Sequence, residues 1–218
     1  MKTRTSILLL IMSCLIFSCK KKKNETVTET PATPATPTYN YMPLKIGNYW
    51  IYDQYTIDPS GNETYKTTDS VYIAKDTTIA AVNYFVLENG GMAPYATRIM
   101  IRQSGSDIVT PTGTFYYKHN DTLTVLEDYY QVTSPSDTIS YNVSRMGQIN
   151  KTTTVSAGTF TTSSYNTHVT IWPSYITCCS SFLRSRKFAE NTGVVSENML
   201  QFVSGTHIDR RLKRFHLN

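Results

Sequence analysis

From Tyr49 onward the chain is cut into short runs rich in Val, Ile, Thr, Tyr and Phe, bounded by clusters of Gly, Pro, Asn and Asp. That punctuation constrains the fold more than any other feature. β-Branched and aromatic side chains suit a pleated surface, and turn residues at such intervals close hairpins, so the pattern predicts an all-β antiparallel fold. No apolar stripe of helical period competes with it. Strands are expected at 49–57, 64–74, 79–88, 95–103, 113–118, 121–132, 138–145, 149–156, 159–172, 183–189, 193–203 and 207–216. Residues 174–184, after Pro173, read as an irregular loop.

The N-terminal part follows different rules. Lys2 and Arg4 precede Ile7 to Cys19, ILLLIMSCLIFSC, which is too short for a bilayer span of ~20 residues and reads as a secretory signal over residues 1–18. Four lysines, Lys20 to Lys23, come next, suited either to plain solvation or to attraction by anionic lipid head groups. The Thr/Pro/Ala stretch TVTETPATPATPT has too little apolar surface to fold, so residues 19–38 are expected to form a disordered, extended tether. The globular domain is expected over residues 39–218, long enough to bury a core of its own.

Charge and cysteine usage exclude some classes of function. From Tyr39 onward 15 Lys and Arg face 14 Asp and Glu, so the folded part is nearly neutral. Nucleic-acid binding rests on phosphate neutralisation and is not expected. Once Cys14 leaves with the signal and Cys19 is set aside, only the adjacent Cys178 and Cys179 remain. They are expected in an exposed loop, either as a strained vicinal disulfide or as two thiols that are reduced or paired elsewhere.

No sequence signature of catalysis stands out: there is no G-x-S-x-G, phosphate loop or H-E-x-x-H. No catalytic residue, metal site or cofactor is therefore assigned. His207 with Asp209, and His119 with Asp121, have spacings compatible with an acid–base pair, but equally with surface hairpins. Tyr116-Tyr117 and Tyr129-Tyr130 are neighbours in strands, which should send one ring of each pair into the core. Arg184, Arg186 and Lys187 form one basic patch with Arg210, Arg211, Lys213 and Arg214 if their strands adjoin, and otherwise line a solvated edge. The last strand, with Arg210 and Arg214 among its apolar positions, reads as an edge strand guarded by charge.

Three resemblances add to this. Leu15-Ile16-Phe17-Ser18-Cys19 resembles the lipobox of bacterial lipoproteins, which implies that Cys19 is lipidated and anchors the protein to a membrane. Lys20 in place of an inner-membrane retention Asp implies an outer-membrane lipoprotein facing the periplasm. PLKIGNYWIY, the segment Val155 to Phe160, and Phe188 to Val195 look like stretches of Bacteroidetes-type cell-envelope lipoproteins, implying a curved antiparallel sheet or half-barrel. Asp followed by Ser or Thr at Ser70, Thr77, Thr122 and Thr138 is similar to the O-glycosylation acceptor of exported Bacteroidetes proteins, although the same pairs suit turn starts. The expected role is a non-enzymatic binding or assembly module of the envelope, with a glycan, a lipid or an envelope protein as partner. A carrier of an amphiphile and a glycan hydrolase are the alternatives.

Overall fold

The computed structural model describes residues 38–91, 98–176, 179–201 and 205–218. They form thirteen strands: β1 Tyr49–Ile57, β2 Glu63–Ile79, β3 Val82–Glu88, β4 Arg98–Ser104, β5 Asp107–Val109, β6 Phe115–Tyr117, β7 Glu127–Ser134, β8 Asp137–Met146, β9 Lys151–Val155, β10 Gly158–Ile171, β11 Ser181–Ala189, β12 Gly193–Gln201 and β13 Thr206–His216. All pair antiparallel in one sheet of order β6-β5-β4-β3-β2-β1-β13-β12-β11-β10-β8-β7, with β9 added beside β10. The expected all-β curved sheet is present, and most expected strands lie within a few residues of observed ones. Two differ. The three-residue β5 was not expected. The run from 121 starts as a turn because the Asp121 carboxylate accepts the backbone N–H groups of Leu123 and Thr124, leaving β7 to begin at Glu127. Of the irregular loop expected over 174–184, the last four residues are strand, because β11 begins at Ser181; before it the described residues carry a 3-10 turn at Pro173–Tyr175.

The sheet curls so that its inner face closes on itself. Trp50, Tyr52, Val71, Ile73, Leu87, Phe188 and Leu212 are all buried in one cluster. Tyr116 and Tyr117, from one end of the strand order, place their rings 5.7 and 5.0 Å from that of Phe188 in β11. That contact bridges strands far apart in the order, which only a half-barrel curvature permits. The segment before β1 fills the interior: Tyr41 stacks on Tyr117 at 4.3 Å and Met42 is 1% exposed. The backbone N–H of Asn191 donates to the Asn40 carbonyl and pins this segment to the β11–β12 turn. In that turn Gly193 has φ +103°, and an added Cβ would lie 3.1 Å from Trp50 Nε1 and 3.2 Å from Met42 Sδ. Glycine is needed there for conformation and for space.

Three expectations fail on sheet order and curvature. β13 is not an edge strand; it lies between β1 and β12, so the last strand closes against the first. Tyr116 and Tyr117 are both buried, because β6 is short, irregular in register and covered by Tyr41 and Phe188. Tyr129 and Tyr130 are 40% and 59% exposed, because β7 is the edge.

Candidate functional site

The alternation of β8 is inverted. Ser140, Asn142 and Ser144 are between 0% and 2% exposed, whereas Tyr141 and Val143 on the other face are only half-buried. Through the register these small polar residues share the inner face with Thr167 and Val169 of β10 and with Arg184 and Phe182 of β11. They satisfy one another: the Ser144 and Thr167 hydroxyls lie 2.9 Å apart, and Asn142 Nδ2 donates to Ser140 Oγ at 3.0 Å. The sheet thus has an apolar inner half around Trp50 and Phe188 and a polar inner half on β7, β8 and β10.

A ladder of alternating charge separates the two halves. Arg186 of β11 lies opposite Glu197 of β12, Glu197 opposite Arg210 of β13, and Arg210 opposite Gln54 of β1. Arg186 Nε donates to Glu197 Oε2 and Arg210 Nη1 to Glu197 Oε1, both at 2.9 Å. On its other side Arg210 grips Asp69 with Nε at 3.1 Å and Nη2 at 2.7 Å, and Gln54 Nε2 donates to the same carboxylate at 2.8 Å. Arg210 is 1% exposed and stacks over Tyr52 at 4.5 Å; Arg186 stacks over Tyr116 at the same distance. Burial alone would raise the Glu197 carboxyl, but Arg186 and Arg210 outweigh it and hold its pKa below the ordinary carboxylate value. Burial likewise pushes the Tyr116 and Tyr165 phenols up, so both stay protonated.

The pairing of β11 with β12 stops at this ladder. The last rung is Arg186 with Glu197, although β11 begins at Ser181 and β12 continues to Gln201. Beyond it the two strands part, and the Asn198 side chain accepts the Ser185 backbone N–H at 2.7 Å where a strand carbonyl would otherwise do so. On the inner face a cavity of about 320 Å³ fills the split, walled by Tyr116, Glu127, Tyr165, Arg184, Arg186 and Met199. A second, of about 300 Å³, adjoins it through Arg184 and Met199 and reaches over Asn142 to Gln131 and Tyr129. Both are at the small end of ligand pockets, ~300–1,000 Å³. Glu127 and Glu197 are the carboxylates of the larger cavity; Glu127 accepts from the Tyr165 hydroxyl at 2.9 Å, and both Glu197 oxygens are engaged by arginine. Fixed donors and acceptors beside aromatic faces suit this cleft to holding a polar ligand.

The condition for one basic patch is not met, and Arg186 and Arg210 do not line a solvated edge either. β12 separates β11 from β13; Arg186 and Arg210 point inward onto Glu197, Arg211 pairs with Glu63 and Asp209, and Lys213 with Asp53. Of the expected site residues, Cys19 and Cys178 lie outside the described residues, and Cys179 is half-buried. Ser70 and Thr77 are half-buried inside β2, opposite Ile51 and Tyr84; Thr122 is exposed after β6, and Thr138 is half-buried at the start of β8. Ser70 is therefore not at a strand end, and its neighbour Asp69 is in place for Arg210. His119 stacks on Tyr39 at 4.3 Å, and Asp209 is bound by Arg211. Among the described residues no three His, Cys, Asp or Glu side chains are grouped as a metal site would need. Of the cleft residues, Arg184 and Arg186 were singled out in the sequence, as part of a basic patch; Glu127, Asn142, Tyr165, Glu197 and Met199 were not. The one available signal was Ser-Tyr-Asn-Val-Ser in β8, whose polar positions keep strict alternation.

No family model matches the chain, and no curated protein matches it. Among solved structures it is similar to a "putative exported protein with YmcC-like fold" from Bacteroides fragilis NCTC 9343, at 13% identity over 83% of this chain and 100% of that one, TM-score 0.48. It is also similar to a "putative lipoprotein" from Parabacteroides distasonis ATCC 8503, again at 13% identity with 83% and 100% coverage, TM-score 0.46. Neither name states a ligand or an activity.

Proposed function

We propose that this protein is an exported, lipid-anchored binding module of the cell envelope, non-enzymatic, which holds a small polar ligand in the split between β11 and β12. The observation that carries this reading is the end of β11–β12 pairing at Arg186 and Glu197, with a cavity walled by aromatic and charged side chains where sheet would otherwise continue. A half-barrel with only a structural role gains nothing from burying Ser140, Asn142 and Ser144, whose desolvation costs free energy that their hydrogen bonds only offset. A carrier of an apolar chain would need a continuous apolar cavity. Here the apolar inner residues pack on one another instead, with Trp50, Phe188 and Leu212 each 0% exposed.

The anchor and the cleft are tested separately. Cys19→Ser in the native host is expected to abolish partitioning into the detergent phase while the domain still folds; wild-type protein that keeps Met1 would remove the anchor from this proposal. For the cleft, Met199 is shared by both cavities, and Met199→Trp should block them. A ligand at 100 times its Kd stabilises by about 2.7 kcal/mol, or about 5–10 °C in a domain of this size. Compounds found by thermal shift on the wild type should give little or no shift with Met199→Trp. Equal shifts in both proteins would move the ligand elsewhere.

A further inference from the structure

Arg184 is a cation of the cleft to which the fold gives no carboxylate among the described residues. Arg98, Arg186, Arg210, Arg211, Lys118 and Lys213 each lie within ion-pair distance of a carboxylate. Among the described residues the Arg184 side chain makes no ion pair and no hydrogen bond, yet it is half-buried at the junction of the two cavities. A half-buried guanidinium with no carboxylate beside it is available to an anion, and in a partly dehydrated cleft that charge-assisted contact is stronger than in bulk water. Its five N–H donors in a planar fork can hold a carboxylate through two parallel hydrogen bonds.

The surroundings say which way the anion faces. Glu127 and Glu197 line the larger cavity and would repel it. No carboxylate lines the smaller one, whose polar groups besides Arg184 are Gln131, Asn142 and the Tyr129 hydroxyl. Two side-chain amides offer donors and acceptors together, which is what vicinal hydroxyls require, and Tyr129 and Phe182 supply aromatic surface for a ring's C–H face.

From this arrangement we infer that the cleft takes an acidic saccharide, with the sugar carboxylate on Arg184 and the hydroxyl-bearing ring over Asn142 and Gln131. The inference rests on the cleft being the binding site and adds the class of ligand. Beneath it the Asn142 amide is held by its hydrogen bond to Ser140 Oγ.

The test is calorimetric titration of the full chain in detergent with four probes: a glucuronic acid oligomer, the matching glucose oligomer, acetate and octanoate. The glucuronic acid oligomer is expected to bind at least ten-fold tighter than each of the others, a difference of about 1.4 kcal/mol. Arg184→Gln should reduce its affinity to that of the glucose oligomer, and Arg184→Lys should keep part of the preference. Because the Arg184 side chain has no ion-pair or hydrogen-bond partner among the described residues, both variants should melt within about 2 °C of the wild type. Equal binding of the acidic and neutral oligomers, or an unchanged preference in Arg184→Gln, overturns the inference. Tighter binding of octanoate overturns it in favour of an amphiphile, and acetate matching the oligomer reduces the site to an anion pocket. If no probe binds while Met199→Trp still abolishes thermal shifts from other compounds, the ligand class is wrong and the cleft reading stands. If Met199→Trp changes nothing, the cleft reading itself fails.

Discussion

Glu197→Ala is expected to destabilise the protein by about 3–5 kcal/mol, the range for breaking a buried charge pair from one side. Glu197 is 6% exposed and, among the described residues, supplies the only carboxylate for Arg186 and one of two for Arg210. Its removal leaves two guanidinium groups close together in the interior with their mutual repulsion unscreened. Urea unfolding measures the effect. The triple variant Arg186→Met, Glu197→Leu, Arg210→Met should lose less than the single one, because removing every charge also removes the desolvation cost. A triple variant less stable than Glu197→Ala would mean that the ladder stabilises outright. A nearly neutral one would leave it the task of fixing register at the fork between β11 and β12.

The same residue makes stability depend on pH. The Glu197 carboxyl has a folded pKa below its ordinary 4.5, so its contribution is fully present above that value and is lost as pH falls through the lower folded pKa. Burial of Asp209 raises its carboxyl and acts in the opposite sense, though Arg211 opposes the rise. Asp209 is common to wild type and Glu197→Gln, so the difference between the two curves isolates Glu197. That difference should be flat at neutral pH and shrink below about pH 4.5. A difference that persists unchanged down to pH 2 would show that Glu197 contributes by shape and hydrogen bonding alone.

The second large effect is expected at Trp50. Trp50→Ala should cost about 3–5 kcal/mol through lost burial and the cavity left behind. The ring is 0% exposed, packs on Met42 and Gly193, and donates from Nε1 to the Thr192 carbonyl. It therefore ties the first strand and the entering segment to the β11–β12 turn, 142 residues later in sequence. Trp50→Phe keeps most of the apolar area but leaves the Thr192 carbonyl without its donor, and should cost about 1–3 kcal/mol. A wild-type unfolding midpoint for Trp50→Ala would mean that the turn is held by the Asn191–Asn40 hydrogen bond instead.

Local chemistry was legible along the chain. Runs of Val, Ile, Thr and Tyr between turn residues foretold antiparallel strands, because pleat fit and turn formation are short-range properties. Asn191, between the strands expected at 183–189 and 193–203, and Gly193, at the start of the second, both adopt positive φ, at 55° and 103°. What alternation could not foretell was which face of a strand is inside. In β8 the sequence offers Tyr141 and Val143 against Ser140, Asn142 and Ser144, and the burial of the polar set follows from the curvature of the whole sheet. Nor could it foretell strand order. The arginines of β13 looked like an edge guard because their neutralising partners, Glu197 and Asp69, lie 13 and 141 residues away. Period-two alternation assigns residues to two faces; only the closure of β13 on β1 and the parting of β11 from β12 decided that Arg210 is buried and matched while Arg184 faces an open cleft.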